Sequence, residues 1–391
     1  MPLQHLGSLA RKVPPSGIRE IVNIVINRPA GSVARVEVGE PNFPTPAHIV
    51  EAAASAARAW SGYTQSSGTA ALREEIAAAL TRRARLDYQP TEICVSQGGV
   101  QGMSALCAAL LDPGDEVLVP DPGWPNYEML ALLRGAVPVR YVLSPTDRFV
   151  ADPAEIERRC TPRTRMIVIN SPGNPTGASF PPDVVEAVVE IARRRGIWLV
   201  SDEVYDELVF EGEPANAAQY DPDHETVIGL YSFSKTYAMT GWRVGYVATT
   251  AAVTTLLQTV QEPLLSCISS VSQDAALAAL RGPQQCVAEM RDAYRGRRDL
   301  LVGALRDRGF DVLTPKGAFY LMLGLAPGVD SRAAALDMVA NESVAVAPGS
   351  AFGDVARDHV RISLASSETT LRDAVERISA WSDRTDRGRT L

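Results

Sequence analysis

Five short apolar runs, at residues 93–95, 117–119, 166–169, 197–200 and 227–230, recur through the middle of the chain, and Ala-rich stretches separate them. The intervening stretches carry helical periodicity, with candidate crossover helices at 100–111 and 183–195. Gly196 stands where the second needs a left-handed cap. Buried strands alternating with helices predict an α/β architecture, a mostly parallel sheet wrapped by helices. Such sheets bind ligands beyond the carboxyl ends of their strands. A long helical pattern at 283–309 follows, then apolar runs at 311–313, 319–322 and 360–363 that read as strands of a smaller α+β lobe.

Several classes of function are excluded. A formal net charge of -8 argues against a nucleic-acid partner. The basic clusters at 193–195 and 295–298 fall in helical patterns and read as solvated faces. Five scattered cysteines form no C-x-x-C pair and four histidines stand apart, so the reading is reduced thiols and no metal site. No apolar run reaches the roughly 18 residues of a membrane span. The first seven residues lack the regions of a signal peptide, so a cytoplasmic location is expected. The polar residues 383–391 are expected to fray.

The polar motifs fall just after the apolar runs. Lys235 lies past the run at 227–230, with Ser232 and Ser234 before it and Arg243 eight residues on. A buried lysine there suits a Schiff base with an aldehyde cofactor, whose phosphate the hydroxyls and guanidinium would hold. Ser96-Gln97-Gly98-Gly99-Val100 turns from a strand into a helix, either to meet an anion or for turn geometry alone. Asp202 ends a buried run, so it either pairs with a cation or caps the next helix. Asn174 lies between Pro172 and Pro175 in a turn that prolines and glycines explain only in part. Arg361, in a strand pattern among apolar neighbours, needs a buried partner.

Together these motifs, over nearly the whole chain, resemble the fold-type I pyridoxal-phosphate enzymes, specifically the class I/II, aspartate aminotransferase-like aminotransferases. The resemblance implies a cofactor-binding domain at 45–285 and a small domain from 1–44 and 286–391. It implies pyridoxal 5'-phosphate on Lys235, with its phosphate at Gly98, Gly99, Val100, Ser232 and Arg243. Asp202 would pair with the ring nitrogen, Asn174 and Tyr205 would donate to the phenolic oxygen, and Trp124 would stack on the ring. Tyr63 would reach the phosphate of a neighbouring subunit, which implies a homodimer. Arg361 would grip the substrate α-carboxylate, helped by Asn174, under a loop at Gly39; the 317–320 signature would be structural. The implied reaction moves an amino group between an L-amino acid and a 2-keto acid by ping-pong kinetics, with Lys235, Asp202 and Tyr205 catalytic. An elimination enzyme on the same scaffold and a non-catalytic cofactor-binding regulator are the rival readings. Substrate identity stays open. One aspartate-preferring branch has lysine where this chain has Val100, and Arg19 could either approach the site or lie exposed.

Overall fold

The computed structural model describes residues 7–212 and 215–387. Residues 1–6 and 388–391, parts of the terminal segments read above, lie outside the described residues. The expected alternation is present, and its centre is a seven-stranded sheet. Its order is Ile93–Ser96, Gly245–Ala248, Val227–Ser232, Trp198–Asp202, Thr164–Asn170, Glu116–Asp121, Val137–Val142. Neighbours from Val227–Ser232 to Val137–Val142 pair in parallel, and Gly245–Ala248 runs antiparallel to both of its neighbours. Two of these strands escape the apolar-run reading. Val137–Val142 is an edge strand interrupted by Pro138 and Arg140, and Gly245–Ala248 has only four residues.

Strand periodicity builds a core on each face. Ile167 and Ile169 join one apolar cluster with Ile93, Leu118 and Leu199, whereas Met166 and Val168 face the other with Val117, Val200 and Leu230. Successive side chains of a strand point to opposite faces, so a continuous apolar run fills two cores. Local signals set the flanking helices. Pro182 opens Pro182–Arg195, and Gly196 closes it at φ +61°. Helix Gly98–Leu110 lies against the last strands, with Leu230 Cδ1 2.9 Å from where a Cβ on Gly102 would stand.

A third apolar cluster joins Ile21, Val33 and Val36 to Leu321, Leu323, Val344, Ile362 and Leu371. Here Tyr320–Gly324, His359–Ser363 and Ala347–Pro348 form a small antiparallel sheet, and Ala34–Arg35 pairs with Val344–Ala345. The helix Gln285–Asp307 corresponds to the long pattern near 283–309. Three expectations need correction. Residues 311–313 are not a strand: Val312 makes one bridge to Leu323 before Pro315, which has no N–H to donate. The tail is helical through Arg387, because Glu368–Arg387 buries Leu371, Val375, Ile378 and Trp381. In the 295–298 cluster, Arg298 is buried and paired with Glu211 at 2.8 Å and Asp299 at 2.7 Å. No helix among the described residues is long and apolar enough to cross a membrane.

Leu230 is fully buried beneath the helix that begins at Gly98. Leu230→Ala should cost about 2–5 kcal/mol of stability by the usual cavity penalty, read as a lower denaturant midpoint with unchanged slope. A loss under about 1 kcal/mol would mean that this contact is slack.

Candidate active site

Ser96, Asp121, Asn170, Asp202 and Ser232 are the last residues of five strands. All lie at one edge of the sheet, and Asn170 and Asp202 are register partners. A cavity of about 260 Å³ opens there. Gly39, Gly99, Val100, Trp124, Asn174, Asp202, Tyr205, Ser232, Lys235, Arg243 and Arg361 all line it. Residues more than 300 positions apart thus share one space. Of the remaining sequence candidates, Gly98 lies against Arg243 at the floor, and Tyr63 is 85% exposed outside the cavity. Arg19 is exposed in a separate surface groove with Glu20 and Arg332, while its neighbour Ile18 lines the cavity.

The strand Val227–Ser232 ends at Ser232, whose hydroxyl accepts the Ser234 N–H and starts the one-turn helix Phe233–Thr236. That turn carries Lys235 into the cavity, where Nζ donates to the Gly39 carbonyl at 2.6 Å. Burial lowers the Lys235 pKa to about 8, against the pull of Glu40 and with the help of the Arg361 and Arg243 charges. Roughly a tenth of the amine is therefore unprotonated at pH 7, far more than at the ordinary lysine value.

Asp202 is buried. A turn over residues 204–207, not a helix, follows it, so the helix-cap reading fails. Its side-chain partners are an N–H and a hydroxyl, not a cation. One oxygen accepts the Val204 N–H at 3.1 Å, and the other accepts the Tyr127 hydroxyl. Burial raises its pKa to about 6, while Tyr127, the Val204 N–H and the Lys235 charge hold it down. Asn170 donates to the Asp202 carbonyl at 2.9 Å and accepts the Asn174 N–H at 2.8 Å. The Asn174 Oδ1 accepts from Arg361 Nη1 at 2.9 Å, which leaves the Asn174 amide group as a donor. Tyr205 and Tyr320 share a hydroxyl–hydroxyl hydrogen bond at 2.8 Å.

Arg361 is 2% exposed. Its Nη2 donates to the Glu37 carbonyl at 2.6 Å, and its guanidinium lies 4.3 Å from the Tyr320 ring centroid and 4.8 Å from that of Phe352. Arg361 Nε is buried without a partner. Arg243 has φ +56°, a left-handed backbone that costs a residue with a Cβ about 1–2 kcal/mol. Its Nη1 donates to the Thr240 carbonyl at 2.7 Å. Gly98, at φ +77°, leaves room for the guanidinium, since a Cβ would come within 2.4 Å of Arg243 Nη2. The helix Gly98–Leu110 begins there with no side-chain cap, so its first N–H groups favour an anion.

Sequence reasoning missed Tyr127, Asn170 and Glu37. Asn170 was legible as the polar end of a buried run, but Tyr127 and Glu37 carried no separate signal. Tyr320 corrects the structural role expected for the 317–320 signature. Its hydroxyl faces the cavity, 2.0 Å from where a Cβ on Gly39 would stand. The donor set fits a phosphorylated pyridine aldehyde. An uncapped helix end, Ser232 and Arg243 suit the phosphate, Asp202 suits a protonated ring nitrogen, Trp124 offers a flat face, and Lys235 offers an amine.

Residues 33–378 match the family model for aminotransferase class I and II. The chain is 37% identical over 358 residues to an aspartate/prephenate aminotransferase of Thermus thermophilus, covering 90% of this chain and 92% of that protein. It is 38% identical over 354 residues to an aspartate aminotransferase of Geobacillus stearothermophilus, covering 87% and 88%. Among solved structures it is similar to the Thermus thermophilus aspartate aminotransferase with maleate, at TM-score 0.92 and 35% identity, covering 97% of this chain and 100% of that one.

Two measurements check this geometry. In the cofactor-free protein, labelling of Lys235 by an amine reagent follows the unprotonated fraction, so its rate should rise with pH to a midpoint near 8. A midpoint at the ordinary 10.5 would contradict the burial argument. Gly98→Ala should weaken cofactor binding at least about tenfold, measured by absorbance titration. Unchanged affinity would remove Arg243 and this turn from the phosphate site.

Proposed function

The chain belongs to the class I and II aminotransferases, which are pyridoxal-phosphate-dependent, and from that premise we propose how its own residues divide the work. Pyridoxal phosphate supplies an electron sink for the pair left when a substrate α-carbon loses its proton. Lys235 is the anchoring amine and the general base. Its lowered pKa supports this, because an amine must be unprotonated to accept the α-proton. Asp202 keeps the ring nitrogen charged, buttressed by Tyr127. Asn174 and Tyr205 donate to the phenolic oxygen. Gly98, Gly99, Val100, Ser232 and Arg243 hold the phosphate, and Trp124 covers the ring.

Arg361 binds the α-carboxylate under the Gly39 loop. Its unpartnered, buried Nε is the observation that most supports this role, since a buried guanidinium donor without an acceptor is costly. Fixing the carboxylate holds the substrate in the cavity and turns its α-C–H bond toward Lys235. Residues 45–285 act as the cofactor-binding domain, with 1–44 and 286–391 as the small one. The active species is a cytoplasmic homodimer in which Tyr63 completes the site of the neighbouring subunit. The strong exposure of Tyr63 here fits that role.

The relatives' names mention aspartate and prephenate, both of which carry more than one carboxylate. This chain's donors carry uncharged side chains. The cations that one subunit places on the cavity wall among the described residues are Lys235, Arg243 and Arg361, and each already has a task. Ile18 and Val100 line the remaining wall, and no free cation there meets a second carboxylate. A donor screen against one 2-keto acid tests both points. Leucine, phenylalanine or alanine should exceed aspartate in kcat/KM, and Val100→Lys should raise the aspartate value by about tenfold or more. Aspartate as the best donor of the unaltered enzyme would overturn the specificity, and release of pyruvate, ammonia and a thiol from a cysteine S-conjugate would indicate elimination.

A further inference from the structure

We propose that Asp121 is a positioning residue for the substrate-carboxylate arm, acting through the turn that carries Phe352. Asp121 ends the strand Glu116–Asp121 and is buried three residues before Trp124. It does not line the cavity. Its two oxygens accept the backbone N–H groups of Asp354 at 3.1 Å and Val355 at 3.0 Å. Arg140 Nη1 stands 3.5 Å from the same carboxylate. The Gly123 N–H donates to the Phe352 carbonyl at 2.8 Å, a second tie between the same two turns.

The fit is close enough to dictate sequence. Gly353 has φ +145°, and a Cβ there would come within 2.0 Å of Asp121 Oδ1. Phe352, one residue earlier, packs its ring against the Arg361 guanidinium. The clasp therefore joins the strand-end turn bearing Trp124 to the segment that backs Arg361. Carboxylate-to-amide hydrogen bonds are charge-assisted and directional, so they fix this distance more tightly than apolar contact does. A carboxylate grip that is loosened but still made loses binding energy shared by ground state and transition state, which raises KM with little change in kcat.

The inference rests on Arg361 as the partner of the α-carboxylate. The test is steady-state kinetics of the holoenzyme for amino acid and 2-keto acid, comparing Asp121→Ala, Asp121→Asn, Gly353→Ala and Arg361→Ala. Asp121→Ala and Gly353→Ala should each raise KM for both substrates about tenfold with kcat within about threefold. Asp121→Asn, which keeps an acceptor but no charge, should lie between, and it carries the test if Asp121→Ala does not fold. The cofactor absorbance band should not move. Wild-type KM in folded Asp121 variants with only a lower melting temperature would reduce the clasp to an ordinary structural tie. If Arg361→Ala raises KM and the Asp121 variants do not, this inference alone fails. If Arg361→Ala leaves KM unchanged, the assignment of Arg361 fails with it.

Discussion

Burying charge at the carboxyl ends of the strands is the constraint around which this molecule is organised. A carboxylate, an amine and a guanidinium share one cavity. Each loses hydration that the protein only partly replaces. Burial pushes Asp202 up and Lys235 down, toward their neutral forms. Tyr127 and the Val204 N–H hold the carboxylate in place without neutralising it, and Asn170 ties down the Asp202 backbone carbonyl. A ring nitrogen, a phosphate and a substrate carboxylate are the complements such a site lacks, so binding them relieves a cost already incurred in folding.

The sheet makes this arrangement possible because it is stiff. Parallel strands buried on both faces end at one level, and their terminal polar residues meet without loops having to find one another. Asn170 beside Asp202 is the simplest case: register alone makes them neighbours. The second lobe supplies what the sheet cannot, a strand that brings Arg361 across the cavity and an aromatic pair, Tyr320 and Phe352, that flanks its guanidinium.

Much of this was legible in the order of residues. Apolar runs with polar endings mark strands and the side chains at their tips, which is why Lys235, Asp202, Asn174, Arg243 and Arg361 could be singled out together. Strands without such runs could not be read: Val137–Val142 alternates at an edge, and Gly245–Ala248 is too short for a pattern. The missed site residues share another cause. Tyr127, Glu37 and Tyr320 matter through partners distant in the chain, and a tyrosine in a helix or strand looks the same whether it fills a core or meets a carboxylate. The buried Arg298 was misread likewise, because its burial comes from a neighbouring segment and not from its own helix.

The guanidinium of Arg361 donates to carbonyl oxygens at Glu37 and Asn174, 324 and 187 positions away along the chain. Those two bonds join three segments made early, midway and late in synthesis. No fragment of the polypeptide holds all three, so catalytic competence arrives only once the final strand has docked. Loop closure over such separations is slow relative to local helix formation. A nascent or nicked chain could thus acquire its coenzyme pocket first and remain chemically silent until its last quarter is in place.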